Sequence, residues 1–300
     1  MYQYHGFGLN IASEIEMPEL YAYAFDKADV TIHLGKIPEQ LEGNAVKRAF
    51  SLIGEHEYTL HVKNVSRYYA GYGNKIIVEP YQGIDDRSVR IFLQGTIMAA
   101  ILYQRGTIPM HASAIERAGK LILFAGHSGA GKSTLLAHLA VKGHTIFTDD
   151  ICVLQHDIAN NIISGAASYP MVKLWEDAIN KIGSETYDKE FKVRPNLPKY
   201  GHFFHDSFNL KTLPVSKVFI LNPASSAKEI NYKKLNALES FKRVERQAYR
   251  YRFATGERLR GLHFSLMASL TNTVPVIEMS RPAGFTGDIH EFSNLVETLL

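Results

Sequence analysis

Cysteine is nearly absent: Cys152 is the only one in 300 residues. That excludes an intrachain disulfide and leaves no basis for a cysteine zinc site. Long hydrophobic runs are missing too. The best candidate, residues 97–103, falls far short of the ~20 residues that span a bilayer, so no membrane association is expected. Neither sign of charge dominates. A formal net charge of +3 permits anionic ligands without suggesting a nucleic-acid coat. The opening residues, MYQYH, carry no basic stretch followed by an apolar one. No signal peptide is read there, and a cytoplasmic location is expected. What the chain does have is apolar content of 46%, enough for one large domain or two modest ones.

Up to about residue 80 the apolar pattern has period two. Residues 29–34, 58–62 and 75–78 read as strands, and Gly73-Asn74 reads as the hairpin turn between 67–72 and the last of these. Residues 39–48, just after Pro38, read as a short helix. The expectation is a small antiparallel β domain over residues 1–85, with no catalytic constellation in it. After Gly83 the texture changes. From Val89, apolar residues recur at Phe92, Leu93, Ile97, Ala100 and Ile101, a helical period. A strand at 121–125 leads into a glycine-rich turn and a helix bearing Leu135, Leu136, Leu139 and Ala140, which Gly143 would end. Residues 145–148 read as the next strand. Strand, turn, helix, strand makes a βαβ-like unit, so residues 86–300 are expected to form an α/β domain. Residues 217–221 and 274–279 read as further strands and 288–300 as an amphipathic helix. Residues 187–216, dotted with Pro195, Pro198, Gly201 and Pro214, read as a long functional loop.

The glycine-rich turn has a specific form. Gly126, His127, Ser128, Gly129, Ala130, Gly131, Lys132 and Ser133, followed by Thr134, fit G-x-x-x-x-G-K-[ST]. Its glycines allow successive N–H groups to converge on a polyphosphate, and the helix start adds its positive end. Lys132 can reach the β- and γ-phosphates of a nucleotide, and the Ser133 hydroxyl can ligate Mg²⁺. An apolar strand before the motif and a leucine-faced helix after it supply the context that a chance match lacks. ATP and Mg²⁺ are therefore expected ligands.

The second strand ends in Asp149-Asp150, where such proteins place a carboxylate that holds the metal. One aspartate would orient the ion while the other accepts a proton from an attacking hydroxyl. Neighbours on a strand point oppositely, so both can face one site only if the strand ends there. The bland reading is a solvated turn. His111 lies shortly before the cradle strand. By residue type alone it is a packed structural residue more often than a catalyst.

At these residues the sequence resembles the HPr serine kinase/phosphorylase family, closely over about residues 94–154. The likeness lies in Met110-His111-Ala112, in the cradle, and in Thr148-Asp149-Asp150-Ile151. Residues 170–175 and the Arg281-Pro282 strand end add to it. The front of the chain (residues 4–12) and Leu174-Trp175 most resemble the HPr-kinase-like enzymes of lasso-peptide clusters. The resemblance implies a P-loop kinase domain with a mixed sheet. It implies transfer of the ATP γ-phosphate to a serine near the C-terminus of a ribosomal precursor peptide, with one aspartate as base and the histidine assisting. On this reading Asp149 takes the proton, Ser133 and Asp150 hold the metal, and His111 and Lys132 stabilise the phosphoryl group. Two departures stand out. His127 occupies a position where the family usually has aspartate, so the resemblance does not carry the family's reversible phosphorolysis over to this chain. The family's downstream segment that engages HPr is missing, so HPr is not the expected acceptor.

Other features carry two readings. Residues 233–260 hold Lys242, Arg243, Arg246, Arg250, Arg252, Arg258 and Arg260. Arg243, Arg246 and Arg250 have helical spacing, so the segment is either a solvated basic helix or a clamp for a phosphate. No nucleic-acid motif accompanies it. Trp175, beside Lys173, is either a core residue, which is favoured, or a stacking platform. His202 and His205 lack companion ligands, so a metal there is rejected. An ABC-type ATPase is set aside because its signature is missing. A nucleotide sensor and a small-molecule kinase remain as alternatives, and a homo-oligomer is left open.

Overall fold

The computed structural model of the protein describes residues 1–42, 45–182, 187, 189–193, 197–225, 227–253, 256–282 and 289–300. Pro195 and Asp288, used above to mark a loop and a helix start, lie outside the described residues. Two compact units emerge: Met1–Pro109 with Tyr249–Ser265, and Met110–Ala248 with Leu266–Leu300. This cut differs from the one that the change of texture near residue 85 suggests. The Tyr68 hydroxyl donates to the Val89 carbonyl at 3.0 Å, both groups buried, so the helical stretch after residue 85 covers the first unit's sheet.

Among the described residues of the first unit, nine strands form one sheet. Tyr2–Gly6 and Leu9–Ser13 pair as a hairpin, and Glu57–Val62, Ser66–Gly71 and Lys75–Pro80 form an antiparallel meander. The sheet is mixed, not antiparallel as expected. Val30–Leu34 runs parallel to both Leu9–Ser13 and Lys75–Pro80. The chain between those strands is too long for a hairpin turn and crosses over instead. The helix expected over 39–48 is not formed, because Val46–Arg48 is a strand paired with Ser51–Ile53. The helical stretch itself runs as Asp86–Phe92, a π-helical turn Leu93–Ile97, and Met98–Gln104. At its start, Arg90 Nε donates to both oxygens of the buried Glu19 at 3.0 Å, and Gln94 adds a third bond at 2.8 Å.

The second unit is built on Lys120–Ala125, of which five residues are buried. It lies parallel to Leu213–Ala224 on one side and antiparallel to Ala112–Arg117 on the other. Thr145–Thr148 pairs with Ala112–Arg117. The βαβ-like unit therefore has an antiparallel strand between its two strands. Cys152–Asp157 and Ile162–Ala167 extend the sheet, and Val276–Pro282 lies parallel to Leu213–Ala224. A separate two-stranded ribbon joins Met171–Trp175 to Lys199–Phe203. Part of the expected 187–216 loop is thus strand.

The helix Lys132–Val141 buries Leu135, Leu136 and Leu139 against Phe124, Phe219 and the helix Ile289–Thr298 through Phe292 and Val296. Each such side chain contributes about 1.5–3 kcal/mol by leaving water. The helix stops as expected: Gly143 has φ 92°, and the Gly143 and His144 amides donate to the Ala140 and Leu139 carbonyls. No described helix is long and apolar enough to cross a membrane.

In the first unit His263 is 2% exposed, and its Nε2 finds no hydrogen-bond partner among the described residues. Burial lowers its pKa from 6.5 to about 4. Unfolding lets this ring take up a proton below its ordinary pKa, so its effect on stability is nil above pH ~6.5. It removes up to roughly 3 kcal/mol as pH falls to ~4. Urea melts from pH 7 to pH 4 should show this slope in the wild type and a flatter one in His263→Leu; equal slopes would exclude His263 as its source.

Candidate functional site

The glycine turn joins a fully buried strand end to a helix, and its backbone is held from behind. A Cβ on Gly126 would sit 2.6 Å from the Leu221 carbonyl oxygen of the neighbouring strand, which no real side chain tolerates. Gly131 adopts φ 92° as the N-cap and offers no side chain to cap the helix. Among the described residues no side chain caps the first turn, which leaves its N–H groups suited to an anion. Residues Ser128, Gly129, Ala130, Gly131, Lys132, Ser133 and Thr134 line one pocket of about 290 Å³. Gly126 and His127 do not line it. Their carbonyls accept from Lys132 Nζ at 2.9 and 3.2 Å.

The two aspartates occupy different environments. Asp149 is fully buried. Its Oδ1 accepts from Ser113 at 2.6 Å and from Ser133 at 3.0 Å, and its Oδ2 accepts from the Lys173 amide at 3.0 Å. Asp150 lines the pocket. The turn between them explains the difference. Asp150 has φ 70°, and the Ile151 amide donates back to the Asp149 carbonyl at 2.8 Å. This is a γ-turn geometry, strained for a non-glycine residue and worth about 1–3 kcal/mol. It ends the strand between the two residues, so that one carboxylate points inward and the other into the pocket.

Around Asp150 the charges interlock. Lys173 Nζ donates to Asp150 Oδ2 at 2.9 Å and to the Tyr169 hydroxyl at 2.6 Å. Burial raises the Asp150 carboxyl, but Lys173 and then His111 outweigh it and hold the group well below the usual carboxylate range. Burial likewise disfavours the Lys173 ammonium, and Asp150 more than reverses this, so Lys173 stays charged above its ordinary pKa. His111 Nδ1 is 2.9 Å from the Asp150 carbonyl, an acceptor only, so Nδ1 carries the proton. Its Nε2, 3.0 Å from Lys132 Nζ, then accepts from the ammonium. Lys132 is only 6% exposed. Burial lowers its pKa, Asp149 and Asp150 act against that, and Lys199 adds to it.

The pocket also gathers Lys173, Trp175, Lys181, Lys199 and Arg281. Trp175 is 44% exposed and lines the pocket, which corrects the favoured core reading. Its strand alternates, so Leu174 takes the buried side. Arg281, on the pocket wall, donates from Nη2 to the Ala130 carbonyl at 3.2 Å. No described residue of 233–260 lines this pocket. The helix Ala237–Glu245 ends before Arg250, which has φ 57°, so the three arginines share no helical face. Arg243 instead pairs with Glu278 at 3.0 Å. His202 packs on Tyr187 and His205 on Phe203. Sequence reasoning passed over Ser113, Lys181 and Lys199. Ser113 lies on the strand Ala112–Arg117, two residues after His111, and nothing in the sequence distinguishes it. Lys199 had no signal either, because its approach depends on the ribbon pairing.

Comparison with known proteins adds little to this geometry. No protein-family model matches the sequence, and no curated protein matches it. Among solved structures the chain is similar to the Hpr(Ser) kinase/phosphatase from Coxiella burnetii, at 16% identity and a TM-score of 0.32, over 64% of this chain and 92% of that one. At that score the likeness carries no weight, and the site stands on its own geometry.

Gly126→Ala tests the turn. Strain from the Leu221 contact should cost about 1–3 kcal/mol of stability and displace the loop. Urea melts and a titration with Mg·ATP should both register it; a variant indistinguishable from wild type in both would mean that the close approach does not shape the turn.

Proposed function

We propose that the protein is an ATP-dependent kinase that moves the γ-phosphate of ATP onto a hydroxyl, the acceptor being a serine near the C-terminus of a ribosomal precursor peptide. One observation carries the reaction class: the uncapped helix start and the Asp150 carboxylate open into the same pocket. A phosphate chain on the turn and a hydroxyl beside Asp150 would share one small space. The peptide acceptor is supported by the sequence resemblance alone.

Ser133 and Asp149 fit a magnesium ion, since both are hard oxygen donors, joined by a 3.0 Å bond at the cradle. Bound there, the ion would supply charge neutralisation to the β- and γ-phosphate oxygens. The geometry therefore supports exchanging the roles first given to the two aspartates. Asp149 is buried against the Ser133 hydroxyl and suits the metal side. Asp150 faces the pocket and suits the proton.

In the proposed reaction the first-turn amides, Lys132 and Arg281 hold the phosphates. Lys132 is positioned by His111, whose Nε2 accepts from it. Asp150 is kept ionised by Lys173 and accepts the hydroxyl proton. The hydroxyl oxygen forms the new bond to phosphorus while the bond from that phosphorus to the leaving ADP oxygen breaks. Little basicity is demanded of Asp150, because phosphoryl transfer passes through a loose transition state in which the bond to the nucleophile is weak.

Mass spectrometry of the small peptide encoded nearest the gene, incubated with the protein, ATP and Mg²⁺, should show a gain of one phosphate on serine. Asp150→Asn should slow transfer by about 10²–10⁴-fold while ADP still binds. Asp149→Asn should weaken the magnesium dependence of nucleotide binding. Full transfer by Asp150→Asn would remove it from the role of base, and ATP binding without transfer to any peptide or small hydroxyl compound would favour a nucleotide sensor.

A further inference from the structure

Trp175, Lys181 and Lys199 are among the side chains on the pocket wall that take no part in the proposed transfer. Trp175 and Lys199 are register partners across the ribbon. The Lys199 ammonium lies 5.7 Å from the centre of the Trp175 ring. Lys181 comes from the helix Glu176–Ile182, which continues directly from the Trp175 strand. The chain's single tryptophan is thus held half-exposed at a cavity, under a cation, instead of in the core.

The charge count of the cavity singles out the two lysines. Lys132, Lys173, Lys181, Lys199 and Arg281 line it against the carboxylates Asp150 and Asp177. Lys132 and Arg281 are bonded to the glycine turn, and Lys173 is committed to Asp150. Neither Lys181 nor Lys199 forms an ion pair with a carboxylate among the described residues, although nearby Lys189 does so with Glu176. Gathering unpaired like charges beside the buried Lys132 costs energy that an incoming anion relieves. A triphosphate already has the helix start, Lys132 and Arg281. Asp177 stands one helical turn before Lys181 on the same wall. Its charge makes the patch a poor seat for a second polyanion and leaves it suited to a single anionic group.

We propose that Lys181, Lys199 and Trp175 form an acceptor subsite that binds one anionic group, a carboxylate or a phosphate, carried close to the hydroxyl to be phosphorylated. The Trp175 face covers the apolar part of the same molecule. The subsite rests on the kinase reading and gives it a substrate class: acceptors with an anion near the hydroxyl are preferred to neutral ones.

The single tryptophan is its own probe. With the wild-type protein saturated by Mg·ADP, Trp175 fluorescence is followed during titration with N-acetylserine, with glycerol 3-phosphate, and with N-acetylserinamide as the neutral control. A saturable change is expected for at least one of the two anions and none for the amide; the tighter anion distinguishes a carboxylate from a phosphate acceptor. Lys181→Gln and Lys199→Gln should each weaken that anion about tenfold. Mg·ADP affinity, measured by calorimetry, should stay within about twofold. No response to either anion, or an equal response to the amide, overturns the subsite. So do lysine variants that lose Mg·ADP affinity while keeping the anion response, because the lysines would then belong to the nucleotide. Failure of the kinase reading itself shows separately, as wild-type protein that binds no Mg·ADP in the calorimeter or that binds Mg·ATP and transfers no phosphate to any hydroxyl compound.

Discussion

The second unit depends on one buried carboxylate. Asp149 is fully shielded from water, and an unpaired charge in that place would cost several kcal/mol. Its donors come from three different elements: Ser113 from a sheet strand, Ser133 from the first turn of the helix, and the Lys173 amide from the ribbon. Satisfying the charge therefore fixes the cradle helix, the sheet and the ribbon against one another. The apolar core alone would leave small slides between these elements inexpensive. Three charge-assisted bonds on one carboxylate do not.

From that anchor the strain at Asp150 becomes intelligible. With Asp149 tied inward, a regular strand would send the next side chain to the opposite face, away from the cradle. The positive φ at Asp150 breaks the alternation and turns its carboxylate to the pocket, where Lys173 and His111 meet it. The cost of the backbone is offset by the ion pair with Lys173. The same lysine serves both aspartates, with its amide on Asp149 and its ammonium on Asp150. A substitution at Lys173 would thus reach both carboxylates, through the side chain directly and through any shift of its backbone.

Legibility in the sequence followed the range of the interactions. The cradle was readable because its strand, turn and helix are contiguous and each has a local signature: an apolar run, glycines at fixed spacing, a leucine face and Gly143 at the end. The Asp149-Asp150 pair was readable as a pair. Its division of labour was not, because that depends on one dihedral angle and on donors 24 and 36 positions away in the chain. The ribbon of Met171–Trp175 and Lys199–Phe203 is not legible because Pro195 and Pro198 before its second strand and Gly201 within it suggest a loop, and strand pairing over such a gap leaves no periodic trace. Trp175 was misjudged for the same reason: residue type favours the core, and only the ribbon turns its ring to the cavity. The parallel pairings of the first sheet were equally invisible, since an alternating strand looks alike whichever way its neighbour runs.

Lys132 shows how the site is poised. Its ammonium is buried and satisfied by two turn carbonyls and His111, so the lysine is held by its own loop. Burial and Lys199 both weaken its hold on the proton. A phosphate entering the turn acts in the opposite direction, because an adjacent anion favours the ammonium form. Anion binding and the charge on Lys132 therefore reinforce each other. The Lys132 side chain exchanges neutral carbonyl partners for a charged one, a stronger bond. His111 can follow that exchange without releasing Asp150, since its two ring nitrogens serve the two residues separately. On the proposed reading, a cradle arranged in this way would disfavour neutral ligands, because an anion would offset the cost of drawing the lysine away from its own loop.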